Sequence, residues 1–265
     1  MEKNFKIKSL VVSSFILSVL VLFGCSSSGG DGGSNTPNGI YSGSVTGGDP
    51  LLNGLEEKAI IYDGRLMVLS NNVDGVSQFF DVNLAEPSRS LTGTGVRFHG
   101  SGSKLNDVAF SGAYVVDQSA TVEFTQTGSA IFTLPTGTIN LTDEAAIYIK
   151  GADISKLSGT TWTGIHDKDF NVSMSLMIDA SGNISAGSGD LGGVFDCGFT
   201  GSFSVINPAI NVYSLNLISD GGSNTCFMPA GAYTGLSWLE GDEDGVLVMM
   251  ASNGNSSRAV VLTRN

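Results

Sequence analysis

Residues 170–178 read FNVSMSLMI, and from Val172 to Leu176 apolar and polar side chains alternate one for one. A period of two marks a strand with one face on a core and the other in water. The pattern extends in both directions. Residues 211–218, NVYSLNLI, and 120–125, ATVEFT, alternate in part. Between such runs stand Asn53-Gly54, Asp63-Gly64, Asp74-Gly75 and Asn253-Gly254, dipeptides that favour tight hairpin turns. Beyond residue 23 no segment sustains a 3.6-residue period, so the chain is predicted to be all-β. From residue 159 onward it divides into strands near 159–165, 170–179, 182–187, 194–205, 211–219, 231–239, 245–251 and 257–263. Consecutive short strands with tight turns favour an up-and-down meander. About eight of them can close into a barrel that has no free edge.

The first half carries matching landmarks. Gly39-Ile40-Tyr41-Ser42-Gly43 answers Gly159-Thr160-Thr161-Trp162-Thr163-Gly164. The turn at Asp63-Gly64 answers Asp179-Ala180-Ser181-Gly182, and Phe110-Ser111-Gly112 answers Phe199-Thr200-Gly201. Ala145-Ala146-Ile147-Tyr148-Ile149-Lys150 answers the final run from Arg258 to Arg264. The expectation is two tandem antiparallel meander barrels, an N-terminal domain over 39–152 and a C-terminal one over 153–265. First and last strands of a meander barrel pair. This predicts Trp162 beside Arg264 and Tyr41 beside Lys150, each aromatic covered by a base. The Gly-Thr-Thr-Trp opening resembles the Gly-x-Trp strand of the calycin group, the lipocalins and avidins, with the aromatic one residue later. That resemblance implies a barrel, and for a lipocalin a small apolar ligand held inside it. Phe195, Phe199 and Phe203 are the side chains that would fill such an interior instead.

Composition bounds the function. Of 265 residues 36 are glycine, about twice the usual ~7%. Charged residues are 14%, and the net charge is −12. A chain that is 41% hydrophobic is not a disordered acidic tail. The acidity argues against nucleic acid, which needs clustered Lys and Arg.

The N-terminus reads as an address. Lys3, Lys6 and Lys8 precede an apolar run over 10–23, too short for a spanning helix and suited to a secretory signal. It ends in Leu22-Phe23-Gly24-Cys25, which resembles the lipobox of bacterial lipoproteins, with Phe23 where Ala, Ser or Thr is usual. The resemblance implies a signal peptide over 1–24, cleavage before Cys25 and acylation of that cysteine. Ser26 following it implies sorting to the outer membrane. Residues 25–38, CSSSGGDGGSNTPN, are a flexible tether. Removing 1–24 takes away three lysines and one glutamate, so the formal net charge moves from −12 to −14. Such a body is repelled by anionic lipid, which leaves attachment to the acyl chains. In an oxidising compartment Cys197 and Cys226 are expected to pair, adding roughly 3–4 kcal/mol.

Catalytic chemistry is sparse. His99 and His166 fall at non-equivalent places in the two halves, and His166-Asp167 reads as a polar strand end more readily than as an oriented base. No nucleophile elbow, phosphate loop or dinucleotide fingerprint occurs. Two acidic groups could supply calcium ligands, Asp242 and Asp244 within Glu240–Gly245, and Asp167 with Asp169. Neither has the downstream ligands of a calcium loop, and solvated turns are the simpler reading. No cofactor is expected. The sequence points to a membrane-anchored, non-enzymatic binding module with an unknown protein or small-molecule partner. A lipocalin-like carrier and an exported hydrolase using acidic residues are the alternatives.

Overall fold

A computed structural model describes residues 37–47, 55–72, 75–85, 90–127, 136–167, 172–190, 197–221 and 229–265. Its sixteen strands run in chain order. The first eight are β1 Gly39–Gly47, β2 Glu56–Tyr62, β3 Arg65–Asn72, β4 Gly75–Leu84, β5 Ser90–His99, β6 Lys104–Val115, β7 Ser119–Thr127 and β8 Gly137–Asp143. The second eight are β9 Thr161–Asp167, β10 Val172–Ile178, β11 Asn183–Asp190, β12 Cys197–Val205, β13 Tyr213–Ser219, β14 Gly231–Glu240, β15 Val246–Ser252 and β16 Ser257–Arg264. Each set forms a closed barrel in which every strand pairs antiparallel with its sequence neighbours. β1 closes on β8, and β9 closes on β16. The eight strands read from residue 159 onward all appear, displaced by a few residues at their ends.

Parity decides which side chains fill each barrel. In β7, Ala120, Val122 and Phe124 point inward and are buried, while Thr121, Glu123 and Thr125 are exposed. This polarity is opposite to that of a membrane-spanning barrel, whose outer band is apolar. Phe80, Phe110 and Phe124 meet at the waist of the first barrel with centroids 5.2–6.1 Å apart. Trp162, Phe199, Phe203, Tyr213, Tyr233 and Met249 fill the second. Glycine makes this crowding possible. A Cβ on Gly137 would meet the Phe124 ring at 2.5 Å, and one on Gly235 would fall 1.8 Å from the Met250 carbonyl.

A third apolar cluster lies between the barrels. Outward-facing Ile40, Ile60, Met67, Leu69, Phe79 and Phe98 of the first pack on Val212, Leu236, Trp238, Val248, Met250 and Ala259 of the second. Strands on this seam lose their alternation because both faces are covered. β15, sequence VLVMMAS, is buried from Leu247 to Ser252.

The last landmark pair does not hold in the first barrel. Residues 145–150 do not form the closing strand of the first barrel. That strand is β8, ending at Asp143, and the chain then turns into a short helix, α1, Ala145–Tyr148. Once β8 has closed the barrel, no strand edge is left for the next segment to join. Its two alanines favour helix, and Ile147 and Tyr148 pack against the cluster between the barrels.

Candidate functional site

The linker between the barrels closes one end of the second. Ala152 and Leu157 are buried in its interior cluster. A 3-10 turn, Ile154–Lys156, carries them inward, and the Asp153 carboxylate accepts from Ser155 N–H at its start. The Trp162 indole N–H donates to the Leu157 carbonyl at 2.8 Å. The Tyr213 hydroxyl donates to the Asp153 carbonyl and accepts its N–H, both at 3.1 Å. Burial pushes that phenol up to about 12, so it stays protonated as the donor. Asn211, fully buried, ties the linker down. It donates to the Tyr148 and Ile147 carbonyls, and its side chain also bridges to both Leu239 backbone groups. Every hydrogen-bonding group of this amide is thus used.

Of the two aromatic–basic pairs, Trp162 and Arg264 are register partners, and the guanidinium carbon stands 5.0 Å from the ring centroid. Tyr41 and Lys150 are not brought together. Tyr41 lies opposite Asp143 in the register and donates to the Pro37 carbonyl at 2.6 Å. Lys150, beyond the helix, reaches Gly241 O at 3.2 Å and Asp244 at 3.6 Å. The counterpart of Arg264 is therefore Asp143. Burial of the Tyr41 phenol, with Asp143 beside it, holds its proton more tightly than usual.

The acidic turn serves the linker as well. Asp242–Asp244 form a 3-10 turn between β14 and β15, and Asp244 faces Lys156 at 3.1 Å besides Lys150. Its carboxylate is thus committed to two ammonium groups. Among the described residues no group of three His, Cys, Asp or Glu side chains is placed to hold a metal. His99 Nδ1 lies 3.0 Å from Ser101 Oγ and accepts the Ser101 N–H, an arrangement that shapes its own turn. Cys25, Cys226 and Asp169, and the side chains of Cys197, His166 and Asp167, lie outside the described residues.

The opposite end of the first barrel holds polar groups that the sequence reading passed over. Glu57, Ser70, Gln78, Arg97 and Asn106 are all buried. The Arg97 Nε donates to Gln78, and its guanidinium carbon lies 5.9 Å from the Phe80 centroid. Glu57 is completely buried, and its carboxylate accepts from one hydroxyl, Ser70 Oγ, at 2.7 and 2.9 Å. The signal was present in parity. Ala59 and Ile61 point inward, and Glu57 shares their face. Burial pushes the Glu57 carboxyl from 4.5 up to about 8, with the Ser70 hydrogen bond pulling the other way.

This shift makes stability fall with pH. Between about 4.5 and 8 the folded protein keeps a proton that the unfolded chain has released. The contribution is full below the unfolded value and is lost as pH rises through the folded one. Glu57→Gln should therefore be more stable than the parent at pH 8, by on the order of a few kcal/mol, with the gap closing toward pH 5. Urea midpoints measured across that range check this. Parallel pH profiles for the two proteins would contradict it.

Charged pairs rim the seam between the barrels. Lys58 meets Glu240 at 2.8 Å and Glu56 at 3.1 Å. Burial opposes the Lys58 charge, yet the two carboxylates outweigh it and raise the ammonium above its ordinary value. Arg65 grips Asp81 through two bonds of 2.8 and 2.7 Å and donates to Thr234 O at 3.1 Å. Asp81 also accepts from Ser252 of the other barrel. Such bidentate, partly buried pairs fix orientation better than lone surface bridges do.

No family model matches the chain, and no curated protein matches it. Among solved structures it is similar to transferrin binding protein B. A mutant of that vaccine antigen from Haemophilus parasuis Hp5 is 10% identical, with a TM-score of 0.30 over 86% of this chain and 63% of the other. The isotype 1 protein from serogroup B Neisseria meningitidis is 9% identical, with a TM-score of 0.29 over 80% and 58%. The chain spans about three fifths of the length of these structures. At these scores the likeness assigns neither an activity nor a partner to this chain.

Proposed function

We propose that this chain is a lipid-anchored binding protein of the bacterial envelope. On this reading it is cleaved before Cys25, acylated there, and held at the outer membrane by its Gly/Ser tether. The observation that carries the binding role is the filling of both barrels. Phe80, Phe110 and Phe124 occupy the first waist, and Phe203, Tyr213 and Tyr233 lie in the second core. That packing speaks against a carrier holding cargo inside, and leaves recognition to the outer surface and connecting segments. The strand ends at Glu56, Thr127 and Gly137 in the first barrel, and at Ser219 and Gly231 in the second, lie away from the turns at Asp63-Gly64, 116–118 and 179–182. Those ends are the binding face.

The anchor has its own test. In a Gram-negative host the parent protein should take up a fatty-acid label and sediment with membranes. Cys25→Ser should carry no label and move to the soluble fraction with its melting temperature unchanged. A Cys25→Ser protein that still sediments with the outer membrane would exclude the anchor.

A further inference from the structure

A cavity of about 160 Å³ lies where both barrels and the linker meet. On the scale of buried waters that is room for a ligand of several non-hydrogen atoms. Three features of its lining point to one chemistry. The first is charge. Glu56, Glu144 and Glu240 stand against one cation, Lys58, so the cavity is net negative and disfavours anions. Lys58 is spent on Glu56 and Glu240. Glu144 receives the Ser42 hydroxyl, a single neutral donor for a group that can accept several bonds. The second is an orphan. Trp238 is 1% exposed, lines the cavity, and its indole N–H has no acceptor among the described residues. Buried donors are nearly always satisfied, so this N–H calls for an oxygen that the described residues do not supply. The third is the aromatic wall formed by Tyr41 and Trp238, a surface that attracts cations.

We propose that this cavity binds a small organic ammonium compound that also carries an oxygen acceptor, an amino alcohol in size and chemistry. The ammonium sits by Glu144 and Glu56 against the rings, and the oxygen accepts from Trp238. A bound ligand touches both barrels and the linker, so it strengthens the seam. The inference rests on the cavity and not on the anchor, and the two fail separately.

Choline is the probe, with its uncharged isostere 3,3-dimethylbutan-1-ol as the control, titrated against the full chain at constant ionic strength. Tryptophan fluorescence and melting temperature are the readouts. Choline should perturb the fluorescence and raise the melting temperature, while the isostere does neither. Glu144→Gln keeps an oxygen for Ser42 and removes the charge, and should weaken choline by roughly tenfold or more. Trp238→Phe keeps the packing, removes the N–H and should also weaken it, read by melting temperature. Equal responses to choline and its isostere, no response to choline, or an unchanged affinity in Glu144→Gln would each overturn the proposal and leave a cavity that holds water.

Discussion

Met250→Asp should separate the two barrels thermodynamically. Met250 is fully buried and lies in the cluster with Ile40, Met67, Leu69, Phe79 and Phe98 of the other barrel. The carboxylate would arrive among the apolar side chains of the seam. An uncompensated buried charge costs roughly 3–5 kcal/mol. For a body of this size that corresponds to a fall in melting temperature of roughly 6–20 °C. The loss falls on the seam and not on either interior, so calorimetry should resolve one transition into two. One transition at an unchanged temperature would show that the seam contributes little.

The second large effect is expected at the closed end of the second barrel. Trp162 is fully buried, holds the Leu157 carbonyl, and carries Arg264 over its ring. Trp162→Ala removes the packing and leaves that carbonyl without its donor, for roughly 3–5 kcal/mol. Arg264→Ala should cost less than about 1 kcal/mol, because the guanidinium lies on the exposed rim. In a Trp162→Ala background the Arg264 effect should vanish, since the ring is what it acts on. Urea unfolding of the two single variants and the double variant measures all three quantities. An Arg264→Ala cost that persists without the ring would assign Arg264 to its other contact, the Lys156 carbonyl.

Strand order and closure were legible because parity survives wherever one face of a strand meets water. FNVSMSLMI is the clearest case, and β10 covers Val172–Ile178 within it. Two features were not legible. The run at 145–150 looks like a strand by composition, yet its fate depended on β8 having already closed the barrel at Asp143. That is a topological fact, which local pattern does not carry. The seam was hidden for a related reason. VLVMMAS reads as a buried strand, but nothing in it says that its second face meets another barrel. Of the candidate residues, Trp162 and Arg264 could be placed by register once both strands were assigned. Glu57 could have been placed by the same argument, but the polar run Glu56-Glu57-Lys58 reads as an exposed strand end. The cavity beside Lys58 draws on both barrels and the linker, so no single stretch of sequence announces it.

The proposed binding face fixes where a partner is engaged. A photo-crosslinking amino acid can be placed at exposed Thr127 and Asn255, at the proposed binding ends, and at exposed Gln118 and Ser181, at the opposite ends. Irradiated in cells that display the anchored protein, Thr127 or Asn255 should capture a discrete partner that Gln118 and Ser181 do not. Capture of the same partner at Gln118 and Ser181, with none at Thr127 or Asn255, would contradict a binding face at those ends.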